Sequence, residues 1–296
     1  MVISDPEATR RHARRCRLSR SKIVAAIRAS ATAYGAFLLL LPSSLPSRAA
    51  DSDIRAKYEV TLAGLTIVHA DVIFAVRGSA YTVRTNYRTS GAARLMSSAT
   101  GEAVTSGTYK NGILTPTKFD LDHRGSQRVQ KVALVMSGGA VDKLTVDPPL
   151  DQASRRAPIE PEHLKNIIDP LSGLLASAVK ADGKSEIGAC DRTVPVFDGV
   201  RRFDIALKRK ETQIATRGPF TGPLTACELR ITPIAGEIRN GNGPHAGTPN
   251  RSLGETEMTF GFVDAQKIYI PVSLSARLGF TTLQARLTQY SHTAQR

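Results

Sequence analysis

From Tyr58 onward, apolar and polar residues alternate with period two and turn residues interrupt them at short intervals, which predicts antiparallel strands along nearly the whole chain. Tyr81, Val83, Thr85 and Tyr87 alternate with Thr82, Arg84, Asn86 and Arg88, so a strand here shows one face to a core and one to water. Val132, Leu134 and Met136 share a face in the same way, and Ser137-Gly138-Gly139 turns the chain back into Val141 to Val146. Arg77-Gly78-Ser79, Asn111-Gly112 and Asp198-Gly199 supply hairpin turns. Later, Phe203, Ile205 and Leu207 point inward against Arg202, Asp204 and Lys208. Ile268, Ile270, Val272 and Leu274 are expected to face one way, as are Leu283, Ala285 and Leu287 after the turn at Leu278-Gly279.

Residues 148–182 break the pattern. A segment rich in Pro and charge, Pro148 to Pro161, leads to a helix capped by Asp169 with Pro170 at its first position. Leu171, Leu174, Leu175 and Ala178 recur at helical spacing, which predicts one apolar stripe packed on the sheet or plugging its open end. Gly236 to Gly254, with Asn240-Gly241-Asn242-Gly243-Pro244, reads as a loop. Roughly ten to twelve strands at hairpin spacing, with one short central helix, define an all-β protein: a large antiparallel curled sheet, barrel or β-spiral. An outer-membrane barrel would place aromatic girdles at the strand ends. Here seven Tyr and nine Phe are scattered, and Arg128, Lys131, Lys143 and Lys208 interrupt the strands.

The first fifty residues follow another pattern. An Arg-rich head (Arg10, Arg11, Arg14, Arg15, Arg17, Arg20, Lys22, Arg28) precedes the apolar run Ala31 to Leu41, and Ser47 with Ala49 fits the small-x-small rule. The run is too short to span a bilayer, and Pro42 and Pro46 stop its continuation. Residues 1–49 therefore read as a signal peptide cleaved near Ala49, leaving 50–296 as one periplasmic β-rich domain with no stable transmembrane anchor. The leader takes nine Lys/Arg and two Asp/Glu with it, so +7 of the formal +14 remains. With no Trp and no recognised binding motif, a nucleic-acid partner is not expected.

Beyond the leader, which holds Cys16, only Cys190 and Cys227 remain, in a chain bound for an oxidising space. They are expected to form a structural disulfide worth about 3–4 kcal/mol by chain entropy. A redox pair would use close C-x-x-C spacing, absent here.

Catalytic motifs are scarce. There is no G-x-S-x-G and no H-E-x-x-H, and the one match, Ser177-Ala178-Val179-Lys180, resembles the S-x-x-K of wall-active serine enzymes but has no companion K-T-G. Asp120-Leu121-Asp122-His123 is the densest group of potential metal ligands, yet in a strand the two carboxylates share a face and His123 points to the other. His69, between Val68 and Ala70, reads as a half-buried residue. No metal or cofactor is expected. The positive signal lies in basic residues: Arg84 and Arg88 on one strand face, Arg201-Arg202, and Lys208-Arg209-Lys210. Arg84, Arg88, Arg201 and Arg202 are the candidates for an anionic ligand such as a lipid headgroup phosphate, beside their plainer role as a solvated outer face.

Tyr58-Glu59-Val60 with Gly64-Leu65, Asp169-Pro170-Leu171-Ser172, Phe197-Asp198-Gly199-Val200-Arg201-Arg202-Phe203-Asp204 and Cys227 in a strand together resemble the proteobacterial envelope proteins grouped as domain of unknown function 3108. The resemblance covers about residues 55–290. It implies an exported, β-rich, barrel-like or spiral sheet and assigns no reaction. The expected function is a periplasmic, non-enzymatic binding protein that supports envelope integrity and holds a lipid-like envelope molecule or a protein partner. The alternative is an envelope hydrolase with an unrecognised site.

Overall fold

The computed structural model describes residues 51–91, 93–96, 98–110, 112–126, 129–149, 156–177, 188–238 and 254–294. All of them belong to one compact unit, residues 47–296. The leader, Ala178 and Lys180, Asn111 and most of the loop after Gly236 lie outside the described residues.

The chain folds as a meander. Strands β1 (Ser52–Leu62), β2 (Leu65–Arg77) and β3 (Ala80–Thr89) are followed by a one-turn helix α1 (Ala93–Met96). Then come β4 (Ala99–Lys110), β5 (Ile113–Gly125), β6 (Val129–Ser137) and β7 (Ala140–Asp147). A connector holds helix α2 (Pro170–Leu174) and the short β8 (Ala176–Ser177). The second half is β9 (Arg192–Phe197), β10 (Arg202–Ala215), β11 (Gly222–Ala235), β12 (Thr256–Val263), β13 (Ile268–Leu278) and β14 (Thr281–Ala294). They form one 14-stranded sheet in the order β7-β6-β5-β4-β3-β2-β1-β14-β13-β12-β11-β10-β9, with β8 attached to β13. The long-range pairing is β1 with β14, which joins the two halves from Ser52↔Ala294 to Leu62↔Leu283.

The sheet curls until its edge strands, β7 and β9, come near each other, and the connector fills the seam. Ile167 N donates to Gly139 O in the β6–β7 turn (2.8 Å), while Ile168 N donates to Pro195 O (2.8 Å) and accepts at its carbonyl from Phe197 N (3.0 Å). Consecutive residues of one segment thus bond the β6–β7 turn on one side and strand β9 on the other, which covers part of the β9 edge.

Alternation is clean where one face meets water. In β6, Val132, Leu134 and Met136 are 2%, 0% and 3% exposed, and their neighbours on either side are mostly exposed. In the second half, four consecutive residues are buried in β11 (Leu224–Cys227) and in β12 (Met258–Gly261), because both faces are covered. Two apolar clusters result. The larger unites Phe74, Tyr81, Leu134 and Phe197 with Ile268 and Ile270, and the smaller unites Val194, Val196, Leu207, Met258 and Phe260 around the cysteines. The expectation that Ile268, Ile270, Val272 and Leu274 share a face needs correction. The register slips at the β12–β13 ladder, where Phe260 faces Pro271 but Thr259 faces Ser273. This bulge at Val272 sends Leu274 to the smaller cluster while Ile268 and Ile270 stay in the larger.

The disulfide is formed: Cys190 and Cys227 are joined with their Cα atoms 5.6 Å apart, tying the segment before β9 to the centre of β11. The helix is shorter than its leucine spacing implied. Asp169 caps it, with Oδ1 accepting from Leu171 N (2.9 Å) and Ser172 N (3.1 Å), but Leu175 has already left helical geometry and the chain continues as β8 against Ile268 and Tyr269. Leu171 and Leu175 are buried and Leu174 is 39% exposed, so Leu174 leaves the expected stripe, and Ala178 lies outside the described residues.

Candidate functional site

One end of the curled sheet collects the β5–β6 and β9–β10 turns with the start of the connector. Between them lies a cavity of about 470 Å³. Its apolar lining is Leu121, Val132, Val200 and Ile238; Tyr87, His123, Gln130, Arg156, Asp198, Arg201 and Glu237 supply polar groups.

Three adjacent strands build one wall. Tyr87 of β3 lies opposite Gly101 of β4, which lies opposite His123 of β5. A side chain on Gly101 would occupy the Tyr87 ring: its Cβ would fall 2.2 Å from Tyr87 Cζ. The absent side chain lets the tyrosine lie across β4, stack on His123 at 6.0 Å between ring centroids, and place its hydroxyl 2.7 Å from His123 Nδ1. Burial raises the tyrosine's pKa and the charge of Asp122 adds to this, so the phenol stays protonated and able to donate.

The opposite wall is the β9–β10 turn and the connector. Asp198 Oδ1 accepts from Val200 N (2.9 Å) and Arg201 N (2.6 Å), and its Oδ2 accepts twice from the Arg201 guanidinium (2.8 and 3.0 Å). Arg156 donates to Gly236 O (2.7 Å), and Ala157 exchanges backbone hydrogen bonds with Glu237 and Gly236. The cavity therefore combines hydrocarbon-compatible lining with fixed donors.

The four candidate arginines do not converge. Arg84 and Arg88 both stand on the outward face of β3, as their spacing implied. Arg84 is paired with Glu102, and Arg88 lines a separate outer groove of about 380 Å³ with His69, Asp71 and Asp122. Arg201 lines the cavity, whereas Arg202 is held by Asp204 at 2.6 Å. Asp120 and Asp122 are taken by Lys118 and Arg124, and His123 faces the other way, toward Tyr87. Among the described residues no three His, Cys, Asp or Glu side chains are grouped to hold a metal. The S-x-x-K match fails as a helical pair, since Ser177 belongs to β8 and Lys180 lies outside the described residues.

Sequence reasoning missed Gly101, Gln130 and Arg156. A glycine inside an alternating strand was the one available signal, since it marks a place where something lies close over the backbone. It also missed a buried polar cluster under α2. The Tyr81 hydroxyl is 2.7 Å from Ser172 Oγ, which is 3.4 Å from Thr105 Oγ1, and Asp169 is fully buried beside them. Burial pushes the Asp169 carboxyl above its ordinary value, and the Ser172, Thr105 and backbone hydrogen bonds counter this only in part.

Fold and cavity together define a curled antiparallel β protein whose seam is closed by its own connector and whose one end holds a small amphipathic cavity. The chain belongs to the family described as "Protein of unknown function (DUF3108)", whose model matches residues 57–288. No curated protein matches it. Among solved structures it is similar to the beta-barrel-like protein of domain of unknown function DUF1849 from Brucella abortus, at 12% identity and a TM-score of 0.45, over 83% of this chain and 99% of that one. Among the described residues no helix is long and apolar enough to cross a membrane.

Proposed function

We propose that this is an exported, non-enzymatic binding protein of the periplasm, which supports the cell envelope by holding the apolar part of a lipid-like envelope molecule in the cavity at the end of the sheet. The observation that carries the reading is the cavity itself: about 470 Å³, with Leu121, Val132, Val200 and Ile238 beside the polar groups of His123, Gln130 and Arg156. A chain segment settles on the first group and a polar or anionic head on the second. The Arg-rich leader, residues 1–49, and the Cys190–Cys227 bridge support export to an oxidising space.

The test is native mass spectrometry of the protein isolated from the periplasm. The expected result is a co-purifying mass of lipid size, absent from a Val132→Trp variant that fills the cavity. Bare wild-type protein, with no partner recovered on crosslinking, would end this reading.

A further inference from the structure

The end of the sheet that holds the cavity also carries two apolar hairpin tips. Leu65, in the β1–β2 tip, is 66% exposed, and Phe280, in the β13–β14 tip, is 114% exposed. The tips are neighbours. Leu62 pairs with both Leu65 and Leu283, and Ala63 N donates to Thr282 O (3.2 Å), two residues past Phe280. Gly64 and Gly279, at the turns, have open space where a side chain would stand. Next along the same rim comes α1: Ser90 N donates to Ile67 O (2.9 Å), and a Cβ on Gly91 would lie 2.9 Å from Thr66 O.

Charge completes the pattern. Arg94 on α1 is exposed, and its Nε donates to the Thr89 carbonyl rather than to a carboxylate. Arg88, one residue before the end of β3, is exposed in the outer groove, where Asp71, Glu102 and Asp122 are engaged by Lys57, Arg84 and Arg124. Arg286 follows on β14, opposite Glu59, which is itself 3.7 Å from His69.

We propose that this end of the molecule docks on an anionic lipid surface, with Leu65 and Phe280 entering the headgroup boundary and Arg88 and Arg94 meeting lipid phosphates. Two separate tips that project into open space bury little area against a protein, far below the roughly 800 Å² per partner of a stable interface. Apolar tips flanked by cations that have no carboxylate partner among the described residues suit the interfacial zone of a bilayer. The inference rests on the tips and the arginines, not on occupancy of the cavity.

The experiment is flotation of the chain from Ala50 onward with vesicles of phosphatidylethanolamine and phosphatidylglycerol, and with phosphatidylcholine vesicles as the uncharged comparison. Expected is binding to the anionic vesicles that weakens as salt rises. Leu65→Ser with Phe280→Ser should lower it about tenfold or more. Arg88→Gln and Arg94→Gln should each lower it about fivefold. Thermal unfolding of the Ser variants should match wild type, since both side chains are exposed. Occupancy of the cavity is read separately, as the co-purified mass on the wild-type chain, so failure of that reading and failure of this one are distinguishable. Absence of vesicle binding, binding undiminished in the double Ser variant, or a loss of self-association instead of vesicle binding would each overturn it.

Discussion

The Tyr87 hydroxyl and His123 Nδ1 lie 2.7 Å apart although a whole strand runs between the residues that carry them. Only a residue without a side chain at Gly101 permits this, since any Cβ there would coincide with the tyrosine ring. Gly101→Val is expected to expel the ring and destabilise the fold by about 1–3 kcal/mol, as overpacking does. Tyr87→Phe keeps the ring and removes one hydrogen bond, a loss of about 1 kcal/mol. Urea unfolding of the two variants checks the order. A Gly101→Val protein as stable as wild type would mean the ring does not lie over β4.

The Cys190–Cys227 bridge spans a sequence separation of 37 and ends among Ala189, Val194 and Met258 in the smaller apolar cluster. Its removal by Cys190→Ala with Cys227→Ala should cost about 3–4 kcal/mol through the unfolded chain, less any gain from two buried methyl groups. The loss should fall in the midpoint of denaturant unfolding, with wild type under reductant moving the same way. An unchanged midpoint would show that the bridge does not restrict the unfolded state.

Much of this architecture was legible, and the boundary of legibility is physical. β3 and β6 could be read because one face of each meets water, so burial writes period two into the residues. β12 could not be read that way: Met258 to Gly261 are buried on both faces. The cysteine pair was legible because the expected mature chain holds no other thiol. Asp169 and Pro170 marked the start of α2, but its end was hidden, because pairing of Ala176 and Ser177 with β13 overrides the leucine spacing. The cavity draws on residues from Tyr87 to Ile238, and Tyr58 donates to Pro271 O across a separation of 213, so strand order and the cavity's membership follow from tertiary closure.

Asp169 makes stability depend on pH in a direction opposite to that of a salt-bridged carboxylate. Burial raises its pKa in the folded state above the ordinary 3.8, so between those two values the folded protein binds more protons than the unfolded chain. Stability contributed by this group is therefore greatest below the unfolded value and declines as pH rises through the folded one. Asp169→Asn keeps the N-cap acceptor for Leu171 and Ser172 and removes the titration. Its stability relative to wild type should rise from acid toward neutral pH, while Asp169→Ala, which removes the titration as well as the cap, should stay about 1 kcal/mol below the Asn variant at every pH. Unfolding midpoints for the three proteins across pH 4 to 8 decide the matter. A constant gap between wild type and the Asn variant would show that the carboxyl is ionised throughout.

At the cavity the two sheet halves meet at Gly199 and Val132. Gly199 stands at φ +90° in the β9–β10 turn, and a Cβ on it would fall 2.2 Å from Val132 Cγ1 in β6. Gly199→Ala should therefore cost about 2–3 kcal/mol, combining an unfavourable backbone conformation with overpacking. The two contributions separate in a double-mutant cycle. Val132→Ala makes room and relieves the overpacking only, so the pair should couple by about 1 kcal/mol in the compensating sense. The remaining cost would belong to the backbone. Strict additivity would mean that the turn does not touch β6 in solution, and that the cavity is open along its seam instead of walled by it.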